Sequence, residues 1–203
     1  MILYLHGFRS SPRSTKAQML AQAMAEQGLA QAWQCPQLPP GPQDAIDLCN
    51  NLISSDAGAS TRRVQPLVII GSSLGGFYAR YLAQQWACRA VLLNPVIDAT
   101  RDLATHTGKQ THYHSNEPFE FHDYYLQELA ALKTGPPAHP ERFFLMASTG
   151  DEVLDWKEMM TWYSGCSSRI INGSDHGIHD FARWMPEVIS FILDSCSSYQ
   201  KTV

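Results

Sequence analysis

Pro66-Leu67-Val68-Ile69-Ile70-Gly71-Ser72-Ser73-Leu74-Gly75-Gly76-Phe77-Tyr78-Ala79-Arg80-Tyr81-Leu82-Ala83 is the stretch on which the fold turns. Its first five residues form a β-branched apolar run, as in a strand buried on both faces. Residues 76–86 have helical character. Between the two lies G-x-S-x-G. A strand that passes through such a pentapeptide into a helix must turn sharply, which lifts the central serine into a strained, exposed position. Glycines flank it because side chains would clash in so tight a turn. The pattern alone is short enough to arise in any Gly/Ser-rich connector, so its meaning depends on what surrounds it.

Similar segments recur on either side. Ile2-Leu3-Tyr4-Leu5 reads as a strand ended by His6-Gly7-Phe8, followed by a turn at Arg9-Ser10-Ser11-Pro12. A helix capped by Ser11, with Pro12 in its first turn, is predicted next. Ala17, Leu20, Ala21 and Met24 supply its buried face, and Gly28 its end. Ala32–Cys35 reads as a second strand, broken by the proline-rich Pro36–Pro42. Asp44–Ser54 is a helix with Ile46, Cys49, Leu52 and Ile53 on one face, and Ser55–Gln65 is a polar loop. Ala90–Leu93 is a strand stopped at Pro95. After an irregular region from Asp98 to Pro140, with helical pieces such as Tyr124–Leu132, the rhythm resumes. A strand at Glu141–Ser148, a helix at Trp156–Tyr163, a strand at Ser168–Asn172 and a final helix from Phe181 to about Ser195, interrupted early by Pro186, complete the chain. Strands alternating with helices predict an α/β fold with a parallel sheet covered on both faces.

Composition narrows the function classes. The chain has 203 residues, 44% hydrophobic and 17% charged, which suits a single domain over residues 1–203 with a full core. A net charge of −4 with 15 scattered Lys and Arg offers no footprint for nucleic acid. No apolar run is long enough to span a bilayer, and Met1-Ile2-Leu3-Tyr4 lacks a basic leader. Cys35, Cys49, Cys88, Cys166 and Cys196 form no C-x-x-C pair, as expected of free thiols in a reducing cytoplasm.

Ligands of parallel sheets bind at the carboxyl ends of the strands. Four chemically capable groups fall there: His6-Gly7-Phe8, Ser73, Asp151 and His176. A serine hydroxyl needs a base to take its proton, histidine has a suitable pKa, and a carboxylate fixes the histidine tautomer. Ser73, Asp151 and His176 follow in the order nucleophile, acid, base that accompanies this serine turn. Asp98 is the rival acid and His179 the rival base; Glu152 and Asp155 read as surface or supporting groups. A negative tetrahedral oxygen needs backbone donors, and Leu74, after the serine, and Phe8, in the loop after the first strand, are the candidates. His6 reads as a residue that shapes that loop. Arg9 and Arg13 either attract an acidic substrate group or face solvent. His112, His114 and His122 lack a zinc spacing, and no nucleotide-binding glycine pattern occurs. Tyr113, Phe119, Phe121, Tyr124 and Tyr125 either roof an apolar substrate pocket or pack in an ordinary core.

Taken together these residues resemble the YqiA-type esterases, small bacterial members of the α/β-hydrolase superfamily. The likeness runs through Leu5-His6-Gly7-Phe8, Ser10-Ser11-Pro12 with Lys16-Ala17, and Pro36–Pro39. It continues through Gly71–Gly76 with Tyr78-Ala79, Asn94-Pro95, Thr149–Asp155, and Gly173 with His176. Arg9, where an uncharged polar residue is typical, Asp175, where asparagine is typical, and the Asp98–Pro140 region depart from the pattern. The resemblance implies a compact sheet of about six parallel strands in the order 2-1-3-4-5-6. Residues 98–140 are then a small helical excursion or cap. It also implies hydrolysis of carboxylic esters or thioesters by Ser73, Asp151 and His176 through an acyl-enzyme. The expected partner is a small-molecule ester or thioester, with no cofactor, no metal and no nucleic acid. Other readings are an amidase, peptidase or C–C hydrolase on the same three residues, and a non-catalytic binding module of the same fold.

Overall fold

The computed structural model describes residues 1–58 and 66–199, with side chains through residue 57 and over 66–194. Six parallel strands form the main sheet: β1 (Ile2–Leu5), β2 (Trp33–Gln34), β3 (Val68–Ser72), β4 (Arg89–Leu93), β7 (Phe143–Ser148) and β8 (Ser167–Ile171). Their order is β2-β1-β3-β4-β7-β8, which matches the order implied by the family resemblance. The register sets Leu5 beside Gly71 and Ser72 beside Leu93, so the ends of β1, β3 and β4 meet at one edge. Among the described residues no helix is long and apolar enough to cross a membrane.

Strand periodicity divides the core in two. Leu3, Leu5, Ile69, Leu92 and Leu145 face α2 (Pro42–Gly58), α3 (Leu74–Gln85) and α6 (Trp156–Trp162), meeting Ile46, Phe77 and Met159. Ile2, Tyr4, Val68, Ile70, Val91 and Met146 point the other way, against α1 (Thr15–Glu26) and α7 (Phe181–Tyr199), where Leu20, Met24, Val188 and Ile192 pack. Every residue of β1, β3 and β7 is buried, because helices cover both faces of these strands.

Several boundaries differ from the sequence reading. The first helix begins at Thr15, not at Ser11: Ser11 accepts from the Arg13 amide at 3.1 Å and closes a turn ahead of the helix. Gly28 ends that helix with φ +73°, as the sequence suggests. The second helix runs over Pro42–Gly58, longer at both ends than read, and the remainder of the expected loop, 59–65, lies outside the described residues. The last helix continues through Pro186, which forfeits one backbone hydrogen bond early in its course. The 98–140 excursion carries α4 (Ala99–Leu103) and α5 (Tyr125–Ala131), and between them an antiparallel hairpin of β5 (Gly108–Thr111) and β6 (Pro118–Phe121) that the sequence reading lacked. The strand period was present in Phe119 and Phe121, but four residues are too few to assert it.

Two constraints hold the carboxyl edge. A Cβ on Gly75 would lie 2.0 Å from the Leu5 carbonyl oxygen, and one on Gly71 would lie 2.1 Å from the Gly75 oxygen. The first turn of α3 therefore lies directly against the backbone of β1 and β3. The second constraint is His6, which is buried at the end of β1. Its Nε2 accepts from the Leu38 amide at 3.0 Å, which leaves Nδ1–H to donate to the Gly7 oxygen at 3.0 Å. His6 thus ties the loop after β1 to the proline-rich segment before α2. Burial pushes its pKa down to about 4 from 6.5, outweighing the Gly7 bond that favours the charged ring.

Two measurements test these constraints. Gly75→Ala places its methyl against backbone that cannot yield, and should lower unfolding free energy by about 3 kcal/mol. A urea midpoint equal to that of the parent chain would refute the close approach. For His6 the folded pKa lies below the unfolded one, so its contribution is intact above pH 6.5. It is lost as pH falls toward about 4, by roughly 3 kcal/mol in all, and then stays level. His6→Gln cannot titrate and should show a shallower stability-versus-pH curve in that window; parallel curves for the two proteins would contradict a buried neutral histidine.

Candidate active site

Ser73 occupies the bend between β3 and α3 with φ 57° and ψ −123°, a conformation few non-glycine residues adopt. Its neighbours hold it there. The Ser73 amide donates to the Leu93 oxygen at 3.0 Å, and its carbonyl accepts from Gly76 at 2.8 Å and Val96 at 3.1 Å. Both ends of the peptide unit are thereby occupied, and the side chain points into a cavity of about 380 Å³.

The structure brings Ser73, His176 and Asp151 together. His176 Nε2 lies 3.0 Å from Ser73 Oγ, and His176 Nδ1 lies 2.8 Å from Asp151 Oδ2. Asp151 is fully enclosed and His176 is 21% exposed. The other Asp151 oxygen accepts from the Val153 and Leu154 amides at 2.9 and 2.8 Å, so the buried carboxylate is solvated by backbone. With Nδ1–H donating to the carboxylate, Nε2 is free to accept the serine proton.

The rival residues lie elsewhere. Asp98 caps α4 through the Arg101 amide and pairs with Lys133 at 2.7 Å, which together hold its carboxyl below the usual range. His179 stands at the surface beside Asp175, 3.6 Å away. Asp155 caps α6 by accepting from Lys157 at 2.8 Å. Glu152 is closer to the site than a surface role suggests, since it accepts from the His176 amide at 3.0 Å.

The loop Gly7-Phe8 lies alongside Ser73: a Cβ on Gly7 would be 3.1 Å from Ser73 Cβ. Phe8 and Leu74, the two candidate amide donors, both line the Ser73 cavity. Phe8 is backed by the hairpin, with ring centroids 5.9 Å from Phe119 and 5.1 Å from Phe121. Of the aromatics expected to roof a pocket, Tyr113 lines the cavity and Phe119 and Phe121 brace Phe8. Tyr124 and Tyr125 instead stack on each other and on His122. Arg9 and Arg13 do not face a substrate. Arg9 donates to the Thr111 oxygen at 2.7 Å and Arg13 to the His114 oxygen at 2.9 Å, while the Tyr113 amide donates back to Arg9 at 2.8 Å. They fasten the hairpin to the loop after β1.

Asn94 is a supporting residue that sequence reasoning missed. It is wholly buried, with φ 42°, at the end of β4. Its Nδ2 donates toward the carbonyls of Asp175 and His176 at 3.2 and 3.0 Å and toward Ser148 Oγ at 3.2 Å. Its Oδ1 accepts from the Ser148 amide at 2.8 Å. One amide thus joins the end of β7, which leads to Asp151, with the loop that carries His176. The only signal in the sequence was an asparagine before a proline at a strand end.

No group of three or more metal-ligating side chains occurs among the described residues. Cys35, Cys49, Cys88 and Cys166 are free, and burial pushes the thiols of Cys35, Cys49 and Cys88 up to about 12. The side chain of Cys196 lies outside the described residues.

Solved structures share this architecture. A protein of Agrobacterium vitis S4 inferred to be a hydrolase is 15% identical, with 94% of this chain and 87% of that chain covered and a TM-score of 0.74. The Pyrococcus furiosus esterase PF2001 is 14% identical over 95% and 80% of the two chains, with a TM-score of 0.68. Mouse alpha/beta hydrolase domain-containing protein 10 is 14% identical over 93% and 89%, with a TM-score of 0.66. At these identities the likeness is one of fold, and the fold is that of the α/β-hydrolases. A family model described as "Uncharacterised protein family (UPF0227)" matches residues 1–193, and the chain belongs to that family, the YqiA family.

Proposed function

We propose that the protein is a serine hydrolase that cleaves carboxylic esters or thioesters of small to medium acyl groups. The observation that carries this reading is the unbroken chain from Ser73 Oγ through the His176 ring to a buried Asp151, with contacts of 3.0 and 2.8 Å. In the first half-reaction Ser73 Oγ attacks the substrate carbonyl as its proton passes to His176 Nε2. Asp151 stabilises the imidazolium through Nδ1–H. The Phe8 and Leu74 amides donate to the tetrahedral oxyanion, each such donor contributing roughly 3 kcal/mol in the transition state. The intermediate collapses as His176 returns the proton to the departing alcohol or thiol, which leaves an acyl group on Ser73. Water then attacks the acyl carbonyl, giving its proton to His176, and Ser73 Oγ is restored with release of the acid.

The cavity supports acyl groups of modest length. Phe8, Leu74, Val96, Leu103 and Leu154 line it, and its volume of about 380 Å³ is at the small end for ligand pockets. The fold resemblance to an esterase adds to the reading. The free thiols favour a reducing compartment, and the cytoplasm is the proposed location.

Ser73→Ala should abolish fluorophosphonate labelling and lower hydrolysis of p-nitrophenyl butyrate by more than about 10³-fold, and Asp151→Asn should lower it by about 10⁴-fold. Peptide mapping should place the label on Ser73. Full esterase activity in Ser73→Ala, or label on another residue, would overturn the assignment.

A further inference from the structure

The cavity before Ser73 has two unlike walls. Phe8, Leu74, Val96, Leu103 and Leu154 form an apolar wall continuous with the core on the α2–α3 side of the sheet. Val153 and Tyr113 extend it to the mouth, where they are 63% and 64% exposed. The opposite wall comes from the segment between β1 and α1, with Ser10, Ser14, Thr15 and Lys16.

Lys16 is the one lysine or arginine lining the cavity. Its Nζ donates to the Gly177 carbonyl at 2.5 Å, one residue beyond His176. That bond uses one of three N–H donors, and Lys16 forms no ion pair among the described residues. The nearby carboxylates are already engaged. Asp151 accepts from His176, Val153 and Leu154, and Asp175 accepts from the His179 amide at 2.9 Å. Burial pushes the Lys16 amine down to about 8, more than Asp175 and Asp151 pull it up. Beside it, Ser14 Oγ is enclosed and has no hydrogen-bond partner. Arg9 and Arg13, the other cations of this loop, are taken by hairpin carbonyls. A half-buried cation and an unmatched hydroxyl therefore share the polar wall, across the cavity from a surface suited to an acyl chain.

We propose that Lys16, with the Ser14 hydroxyl, forms a subsite for an anionic group, a carboxylate or a phosphate, on the alcohol or thiol portion of the substrate. The inference rests on the serine-hydrolase reading. It makes the substrate amphiphilic, with an apolar acyl chain on the Phe8–Leu154 wall and a negative charge within a few bonds of the scissile linkage. A charge-assisted hydrogen bond from a partly desolvated ammonium supplies the selection.

The test compares butyrate esters of glycolamide, glycolate and 2-hydroxyethyl phosphate, assayed near neutral pH by titration of released acid. Each rate is normalised to the hydroxide-catalysed rate of the same ester. The wild-type protein should favour at least one anionic ester over the glycolamide ester by about tenfold or more in kcat/KM, and the preferred anion identifies carboxylate or phosphate. Lys16→Met should collapse that ratio toward unity, whatever change in absolute rate follows loss of the Gly177 bond, and Lys16→Arg should keep most of it. Equal rates on the three esters in wild-type protein would overturn the subsite. So would a Lys16→Met variant slowed equally on all three, since Lys16 would then act only by holding the His176 loop. Wild-type protein that hydrolyses no ester and takes no fluorophosphonate would instead remove the hydrolase reading, and this proposal with it.

Discussion

The backbone contact between the first turn of α3 and the end of β1 is the constraint on which the rest depends. With no side chain at Gly75, the helix reaches the Leu5 carbonyl, and with none at Gly71 the strand tolerates the returning helix. This approach forces the bend at Ser73 into a left-handed conformation. Such a residue carries strain of about 1–3 kcal/mol and persists only when its surroundings over-determine it. Here they do: Leu93, Gly76 and Val96 saturate its backbone from two directions. The same closeness lets the Gly7-Phe8 loop lie beside Ser73. Hydroxyl position and amide placement therefore share one cause.

His176 has no comparable turn to hold it, because it stands in the loop 172–180. Its position is set from outside by polar contacts drawn from distant parts of the chain. Asn94 holds the carbonyls of Asp175 and His176 while binding Ser148. Glu152 takes the His176 amide and Lys16 the Gly177 carbonyl. Because Asn94 also grips the end of β7, the imidazole and the Asp151 carboxylate are referred to the same buried amide. Buried polar networks of this kind are strong when fully matched, since low local dielectric raises both the gain from each bond and the penalty for losing one.

The excursion between β4 and β7 works differently. Its hairpin is small, and a two-stranded hairpin alone is marginal in water. It is secured by Arg9 and Arg13 reaching its carbonyls, and by Phe119 and Phe121 against Phe8. Arg9 is one of the residues that depart from the family pattern, and the structure gives it a local task. It ties the loop after β1 to an excursion that itself matches that pattern poorly.

The elements legible in the sequence were those governed by short-range rules. Apolar runs marked the core strands, helical periodicity marked the amphipathic faces, and G-x-S-x-G after an apolar run marked the bend at Ser73. Asp151 and His176 could be singled out because topology sends groups at strand ends to one edge. Local signals failed at Ser11, where the choice between a turn and a helix cap depends on packing, and in the hairpin, whose strands are too short to declare a period. The roles of Asn94, Glu152 and Lys16 were invisible for another reason. Each touches backbone far away in sequence, and backbone carbonyls and amides leave no mark on residue identity. The sequence by itself determined the α/β fold and the Ser73, Asp151 and His176 set, because chain connectivity and side-chain periodicity encode both. Only the tertiary structure decided what positions His176, what secures the hairpin and which cation faces the cavity, because those contacts exist only once distant segments are brought together.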